Sequence, residues 1–292
     1  MIVYEPALAE DVVHLASCDN PSRVAEYRAL QEEVYGQPPD KRHDGFYGVH
    51  QELMRRWGLD TPLDNVAAEF HFPDGNVSEL LVARARSSGE EGADLSWDTQ
   101  RLGVKVRAER FLDQGALAIF LRHEFMHVSD MLDDDFGYQP ERLDLTPSQE
   151  AQVRERYGLL WDISIESRLA AMGKETTASH DTWETRFGGR FTSLPAEQRS
   201  LIFGRIWDSP PLRHREILEK AIDPARFLGA DTTPAPRTPG TKCPLCSFPS
   251  YQWVDAPSPA LDAVKADFPH WQPEQGMCPR CGEYYAMKVG IW

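Results

Sequence analysis

Two histidines and a glutamate carry the first chemistry visible in the chain. In Arg122-His123-Glu124-Phe125-Met126-His127 the histidines are four residues apart. On a helix this puts both imidazoles on one face, one turn apart, within reach of a single divalent metal. Glu124 lies about 100° round the helix, where its carboxylate can hold a water on that metal. The flanking residues predict a buried helix from Phe111 to Met131, with Ala116, Ile119, Phe120 and Met126 on the face of His123 and His127. Histidines on an apolar stripe need partners there, and a metal supplies one. The bland alternative is a pair of hydrogen-bonded core histidines beside an exposed glutamate.

The motif resembles that of the zincin metallopeptidases. The resemblance rests on the five motif residues and their helix. It implies that His123 and His127 ligate a catalytic zinc and that Glu124 is the general base of peptide-bond hydrolysis, activating the zinc-bound water. Catalytic zinc usually takes three protein ligands. The resemblance to the Glu-type zincins (gluzincins) implies a third ligand from a second helix, and Glu166 is the first choice. Asp162, one turn earlier, then hydrogen-bonds a ligand histidine and fixes its tautomer, or exchanges roles with Glu166. The gluzincin order has the ligand Glu before the supporting Asp, the reverse of the order here. Asp130 shares the histidine face, but at seven residues from His123 it sits about 10.5 Å along the axis, which suits an outer position. Asp133 occupies the third-ligand place of the metzincin pattern, which wants Gly where this chain has Asp130. The SprT-like pattern wants His where this chain has Leu132.

A second metal chemistry is written near the C-terminus. Cys243-Pro-Leu-Cys246 and Cys278-Pro-Arg-Cys281 are two CxxC pairs in a segment of about fifty residues. Four thiolates at this spacing predict a structural zinc site, and so small a segment would owe most of its stability to the metal. It resembles a zinc ribbon with a long insertion, in which His270 is a spare ligand. A redox CxxC pair is the alternative, but no thioredoxin-like pattern surrounds either pair.

These groups need elements to position them. Residues 1–60 read as mainly helical, with Ser22 capping a helix to about Tyr35, another over Val49–Trp57, and Gly36 and Gly45 breaking the two apart. Val66-Ala-Ala-Glu-Phe-His-Phe, a Pro73-Asp-Gly-Asn turn and 77–85 read as strand, turn, strand. After a polar loop at 87–92, Leu102–Arg107 alternates as a third strand. In zincins an edge strand holds the substrate, and by resemblance Leu102–Arg107 is the candidate. Ser148 opens a long helix, roughly Gln149 to Met172, whose apolar face of Leu159, Ile163, Leu169 and Ala170 carries Asp162 and Glu166. Arg168 falls opposite, towards solvent. Trp183–Leu228 reads as helical, opened at Leu194-Pro195 and divided at Pro210-Pro211, with Ile202, Phe203, Ile206 and Trp207 as core. Tyr138, Tyr157, His180 and His214 are available as oxyanion stabilisers but read as structural. Cys18 reads as a small buried residue, and His43, His50 and His71 as ordinary histidines.

The fold class expected is therefore α+β: a zincin-like metallopeptidase domain over 1–229 with a small, mostly antiparallel sheet, an active-site helix and a helical lower lobe. A Pro/Thr-rich linker over 230–241 and a four-cysteine zinc ribbon over 242–292 follow. The net charge of −15 argues against a general nucleic-acid binder. The ribbon segment has Lys242, Lys265, Arg280 and Lys288 against Asp255, Asp262, Asp267, Glu274 and Glu283, or 4 − 5 = −1. Its Trp253, Trp271, Tyr284, Tyr285 and Trp292 thus read as ribbon core or a protein-docking surface. No leader or membrane segment is visible, and metal thiolates suit a reducing compartment, so a cytoplasmic location is expected. Protein or peptide is the expected substrate, with a protein partner possible at the ribbon. The contrasting function is a non-catalytic scaffold, whose fourth coordination position a protein ligand would fill. A third is an SprT-like protease acting on DNA-bound proteins, against which the acidic charge and Leu132 count.

Overall fold

A computed structural model describes residues 2–70, 77–96, 101–139, 143, 145, 147–228, 240–269 and 271–291. It is an α+β protein, with eleven α-helices and a four-stranded mixed sheet among the described residues. The chain forms two compact units, Met1–Tyr138 with Leu169–Thr177, and Gln139–Arg168 with Ala178–Trp292. The linker expected at 230–241 falls mostly on residues outside those described. Among the described residues no helix is long and apolar enough to cross a membrane.

In the first unit, β1 (Ile2–Tyr4) leads into α1 (Pro6–Ser17), α2 (Pro21–Tyr35), α3 (Arg42–Arg56) and α4 (Thr61–Glu69). Proline in the first turn starts α1, α2 and α4, where the missing N–H costs nothing. The cap of α2 is Asn20, whose side chain accepts from the Arg23 amide at 3.2 Å, and not Ser22 as the sequence suggested. Gly45 does not break the chain. It lies inside α3, where a Cβ would stand 3.0 Å from Val34 Cγ1, so glycine lets α2 and α3 approach closely. Cys18 is exposed at the end of α1 rather than buried, because the apolar face of that helix ends at Ala16 and Ser17. His43 is exposed, and His50 is buried with its Nε2 2.8 Å from the Tyr27 hydroxyl; His71 lies outside the described residues.

The sheet comprises β1, β2 (Glu79–Arg84), β3 (Gly92–Ser96) and β4 (Arg101–Val106), in the order β1-β2-β4-β3. It is mixed, not mostly antiparallel: β1 and β4 both run parallel to β2, and only β3 is antiparallel to β4. The helices α1–α4 return the chain to the sheet in the direction it left, and β3 does the same between β2 and β4. Val66–Glu69, expected as strand, is the end of α4, since Leu63 and Val66 are buried at helical spacing behind Pro62. The turn expected at Pro73 lies outside the described residues.

Next comes α5 (Gln114–Leu132). Its cap, Asp113, accepts from the Ala116 amide at 3.0 Å. Leu117, Leu121, Phe125 and Val128 form one stripe of α5, fully buried against Leu8, Val12, Leu53, Val66, Leu102 and Val104. Each such side chain contributes roughly 1.5–3 kcal/mol, which fixes the rotation of α5 about its axis.

In the second unit are most of α6 (Pro147–Ala171), α7 (His180–Arg190), α8 (Ala196–Asp208) and α9 (His214–Ile222). The boundaries expected at Pro195 and Pro210-Pro211 stand, and Ile202, Phe203 and Ile206 are buried. Arg168 is half-buried rather than solvated, with its Nε donating to the Ser164 carbonyl at 3.1 Å. The C-terminal part has a hairpin of β5 (Thr241–Lys242) and β6 (Pro249–Ser250), then α10 (Leu261–Asp267) and α11 (Pro279–Lys288).

Candidate metal centres

The apolar stripe of α5 turns His123 and His127 to the other side of that helix. Their rings lie edge to face, 4.9 Å apart, and their Nε2 atoms are 3.3 Å apart. Two nitrogens each about 2.0–2.1 Å from one tetrahedral zinc would be about 3.3–3.4 Å apart, so the pair fits a shared metal. His123 is buried and His127 half-buried. Just before them, Arg122 pairs with both carboxylate oxygens of Glu69 at 2.9 and 2.8 Å, and Lys174 adds a third contact at 3.1 Å. The Arg122 guanidinium, with Lys174, holds Glu69 down to a pKa of about 2.

Glu124 meets the sheet. Its Oε2 accepts a hydrogen bond from the Ala93 amide at 2.8 Å, at the start of β3. Gly92 has φ +155°, and a Cβ there would stand 3.6 Å from the same oxygen. The preceding Glu91 has a nearly fully buried side chain. It accepts from Arg110 at 2.7 and 2.9 Å and from the Arg107 amide at 3.1 Å. Burial pushes Glu91 up, but Arg110, the amide and the charge of Arg107 outweigh it and keep the carboxyl below its usual range. The strand expected to hold substrate, Leu102–Arg107, is not an edge: β4 is paired on both sides, and β3 is the outer strand next to it. Nothing in the polar 87–96 stretch announced this strand.

The candidate third ligands are spread along the chain. Asp130 is buried on α5. Asp133 is exposed just past the helix end, and its carboxylate accepts from the Asp135 amide at 2.9 Å. On α6, Asp162 is half-buried and Glu166 fully buried, one turn apart. Of the possible oxyanion groups, the Tyr157 hydroxyl lies 2.6 Å from His214 Nδ1, and His180 is exposed with its ring 5.0 Å from both Phe203 and Trp207. Sequence reasoning missed that His180, Asp181 and Glu184 bring ligand-type atoms within 4.8 Å of one another at the start of α7. Such exposed acidic groups are common without an ion.

The four cysteines come together, with their sulfurs within 4.8 Å of one another, and are positioned to hold one metal ion. Cys243 and Cys281 Sγ are 3.9 Å apart, and Cys246 and Cys278 Sγ are 3.6 Å apart. Four sulfurs about 2.3 Å from a tetrahedral zinc would be about 3.8 Å apart. Cys243 and Cys246 sit in a knuckle on the β5–β6 hairpin, closed by Cys243 N–H to Phe248 O at 2.9 Å and Ser247 N–H to Cys243 O at 2.8 Å. Ser247 adopts φ +61° there.

The second pair sits at the start of a helix: Cys278 caps α11 and Cys281 lies in its first turn. A helix N-terminus favours negative charge, which suits thiolates. The Cys278 amide also donates to Cys243 Sγ at 3.3 Å. The hydrogen shared with Cys281 lowers Cys243 to about 5, helped by nearby amides and against its burial. Burial raises Cys246 to about 11, and Cys243 pushes Cys281 up. Ala260, Val264, Trp271, Met277 and Tyr285 pack around the sulfurs, with Trp271 Nε1 donating to Gly276 O at 3.0 Å. The insertion thus supplies a small core. Trp253 is half-buried and Tyr284 exposed, while His270 and Trp292 lie outside the described residues.

No family model, curated protein or solved structure matches the chain. Its function is therefore argued from these residues alone.

Proposed function

We propose that the chain is a zinc-dependent peptidase with a separate structural zinc. The observation that carries the reading is the pair of imidazole nitrogens 3.3 Å apart on α5, with the Glu124 carboxylate between them in sequence and fixed at one oxygen. His123 and His127 would hold the catalytic zinc, with a carboxylate completing the ligand set. Cys243, Cys246, Cys278 and Cys281 would hold the structural one. When bound, catalytic zinc supplies a Lewis acid that polarises a carbonyl and makes water easier to deprotonate near neutral pH.

Glu124 does the proton work. Its Oε2 is engaged by Ala93, while Oε1 takes no hydrogen bond among the described residues. Oε1 is therefore the atom that accepts a proton from water and returns it to the departing amine nitrogen. Glu124→Gln should keep the zinc of the wild type and lose about 10²–10⁴-fold in kcat on a mixed peptide library. A Gln variant that retains its zinc and still cleaves at the wild-type rate would overturn the assignment.

A further inference from the structure

The mechanism needs Glu124 aimed, and the atom that aims it belongs to the edge of the sheet. In an antiparallel pair, residues alternate between donating into the ladder and pointing their amides outward. The Ala93 N–H goes to Glu124 rather than to β4, so Ala93 and Leu95 are the outward positions of β3. The Leu95 amide is also taken by a carboxylate, that of Asp94 at 2.9 Å, so both outward donors are occupied. An amide on an open edge would otherwise face water or another strand.

The strand is itself held where that bond needs it. Glu91, gripped by Arg110 and Arg107, fixes the residue before Gly92. Gly92 then takes φ +155°, a conformation side chains rarely adopt, and leads the backbone into Ala93 beside the Glu124 carboxylate. A charged anchor, a glycine and a backbone donor follow one another over three residues, and the donor meets Glu124 Oε2.

We infer that Glu91-Gly92-Ala93 is a positioning device for the general base, in which the Ala93 amide holds Glu124 Oε2 so that Oε1 faces the reacting water. The inference rests on the peptidase reading for its consequence but not for the bond itself. Ala93 is a positioning residue and touches no substrate in this scheme.

The test has two arms, both on the full chain loaded with zinc. In the first, exchange of the Ala93 amide with solvent is followed by NMR on alanine-labelled protein. The amide should exchange at least tenfold more slowly in the wild type and in Glu124→Gln, which keeps an acceptor, than in Glu124→Ala. Equal rates in all three would overturn the inference. In the second, lactic acid incorporated at position 93 replaces the N–H by oxygen and leaves the methyl side chain. Ala93→Pro deletes the same donor at an edge position where proline is tolerated, and Ala93→Gly is the control that keeps it. The lactate and Pro variants should lose roughly tenfold to a hundredfold in kcat, the scale of a misplaced catalytic group. KM and zinc content should stay unchanged, and the Gly variant should match the wild type. Wild-type kcat in the lactate variant would overturn the inference. If the wild type cleaves no peptide, the peptidase reading falls, and amide exchange alone decides whether the device exists.

Discussion

Acid should reveal the anchor that precedes the histidine pair. Glu69 is brought from its ordinary pKa of 4.5 to about 2, chiefly by the Arg122 guanidinium. That fall from 4.5 to about 2 sets a ceiling of roughly 3.4 kcal/mol on what the contact contributes. About a third of the Glu69 side chain is in water, as is a similar share of Lys174, so solvent screening cuts this at least in half. The contribution left is about 1–1.5 kcal/mol. Because the folded pKa is depressed, this stability is fully present above 4.5 and lost as pH falls towards 2. Glu69→Gln should therefore melt about 2–6 °C below the wild type at pH 7. The gap should narrow below pH 4.5 and vanish near pH 2. Melting both proteins at each pH lets any acid loss of metal cancel in the comparison. A gap that persists unchanged to pH 2, or none at pH 7, would refute the coupling of Glu69 to Arg122.

Metal content and a single methyl group give further checks. Elemental analysis should find one zinc lost on replacing His123 and His127 by alanine, and a different one lost on replacing Cys278 and Cys281 by serine. If the histidine variant keeps all the zinc of the wild type, the motif holds none. Gly282→Ala would put a Cβ 2.8 Å from Val254 Cγ2, and Val254 is tied to Met277 by paired backbone bonds. Overpacking of this kind costs about 1–3 kcal/mol. It should speed release of the cysteine-bound zinc to a chromogenic chelator, and release at the wild-type rate would show that the contact relaxes freely.

Much of the scaffold was readable because local signals agreed with the final packing. Pro195 starts α8, and the alternation at Leu102, Val104 and Val106 is a strand with its apolar side inward; the helix read from Phe111 begins at Gln114, behind the cap of Asp113. The two CxxC pairs converge because four thiols at that spacing have few other uses. What escaped was set by distant partners. Ile2–Tyr4 is too short to show a period, and its parallel pairing depends on where four helices return the chain. Gly92–Ser96 carries glycine and aspartate, poor strand formers, and is a strand only because β4 lies beside it. For the same reason no pattern announced that Glu124 would find its hydrogen bond there. Val66-Ala-Ala-Glu looked like strand by composition, but Leu63 and Val66, three apart, had to face one core. The helix that carries Cys281 was hidden because CxxC fixes sulfur spacing and leaves the backbone that bears it open.

The parallel pairing of β1 with β2 sets an order of assembly. Ile2 pairs with Leu80, a separation of 80 − 2 = 78 residues, while β3 and β4 are neighbours that can pair early. Closing so long a loop is an entropic cost that only the buried faces of α1, α3 and α4 can offset, so those helices must collapse before β1 finds its place. During synthesis the first strand of the sheet to leave the ribosome is thus the last that can be seated, and until then Leu80, Leu81 and Val82 present an open edge. A chaperone that shields extended apolar segments would find its site there, on a nascent chain long enough to have made β2 but with β1 still unpaired.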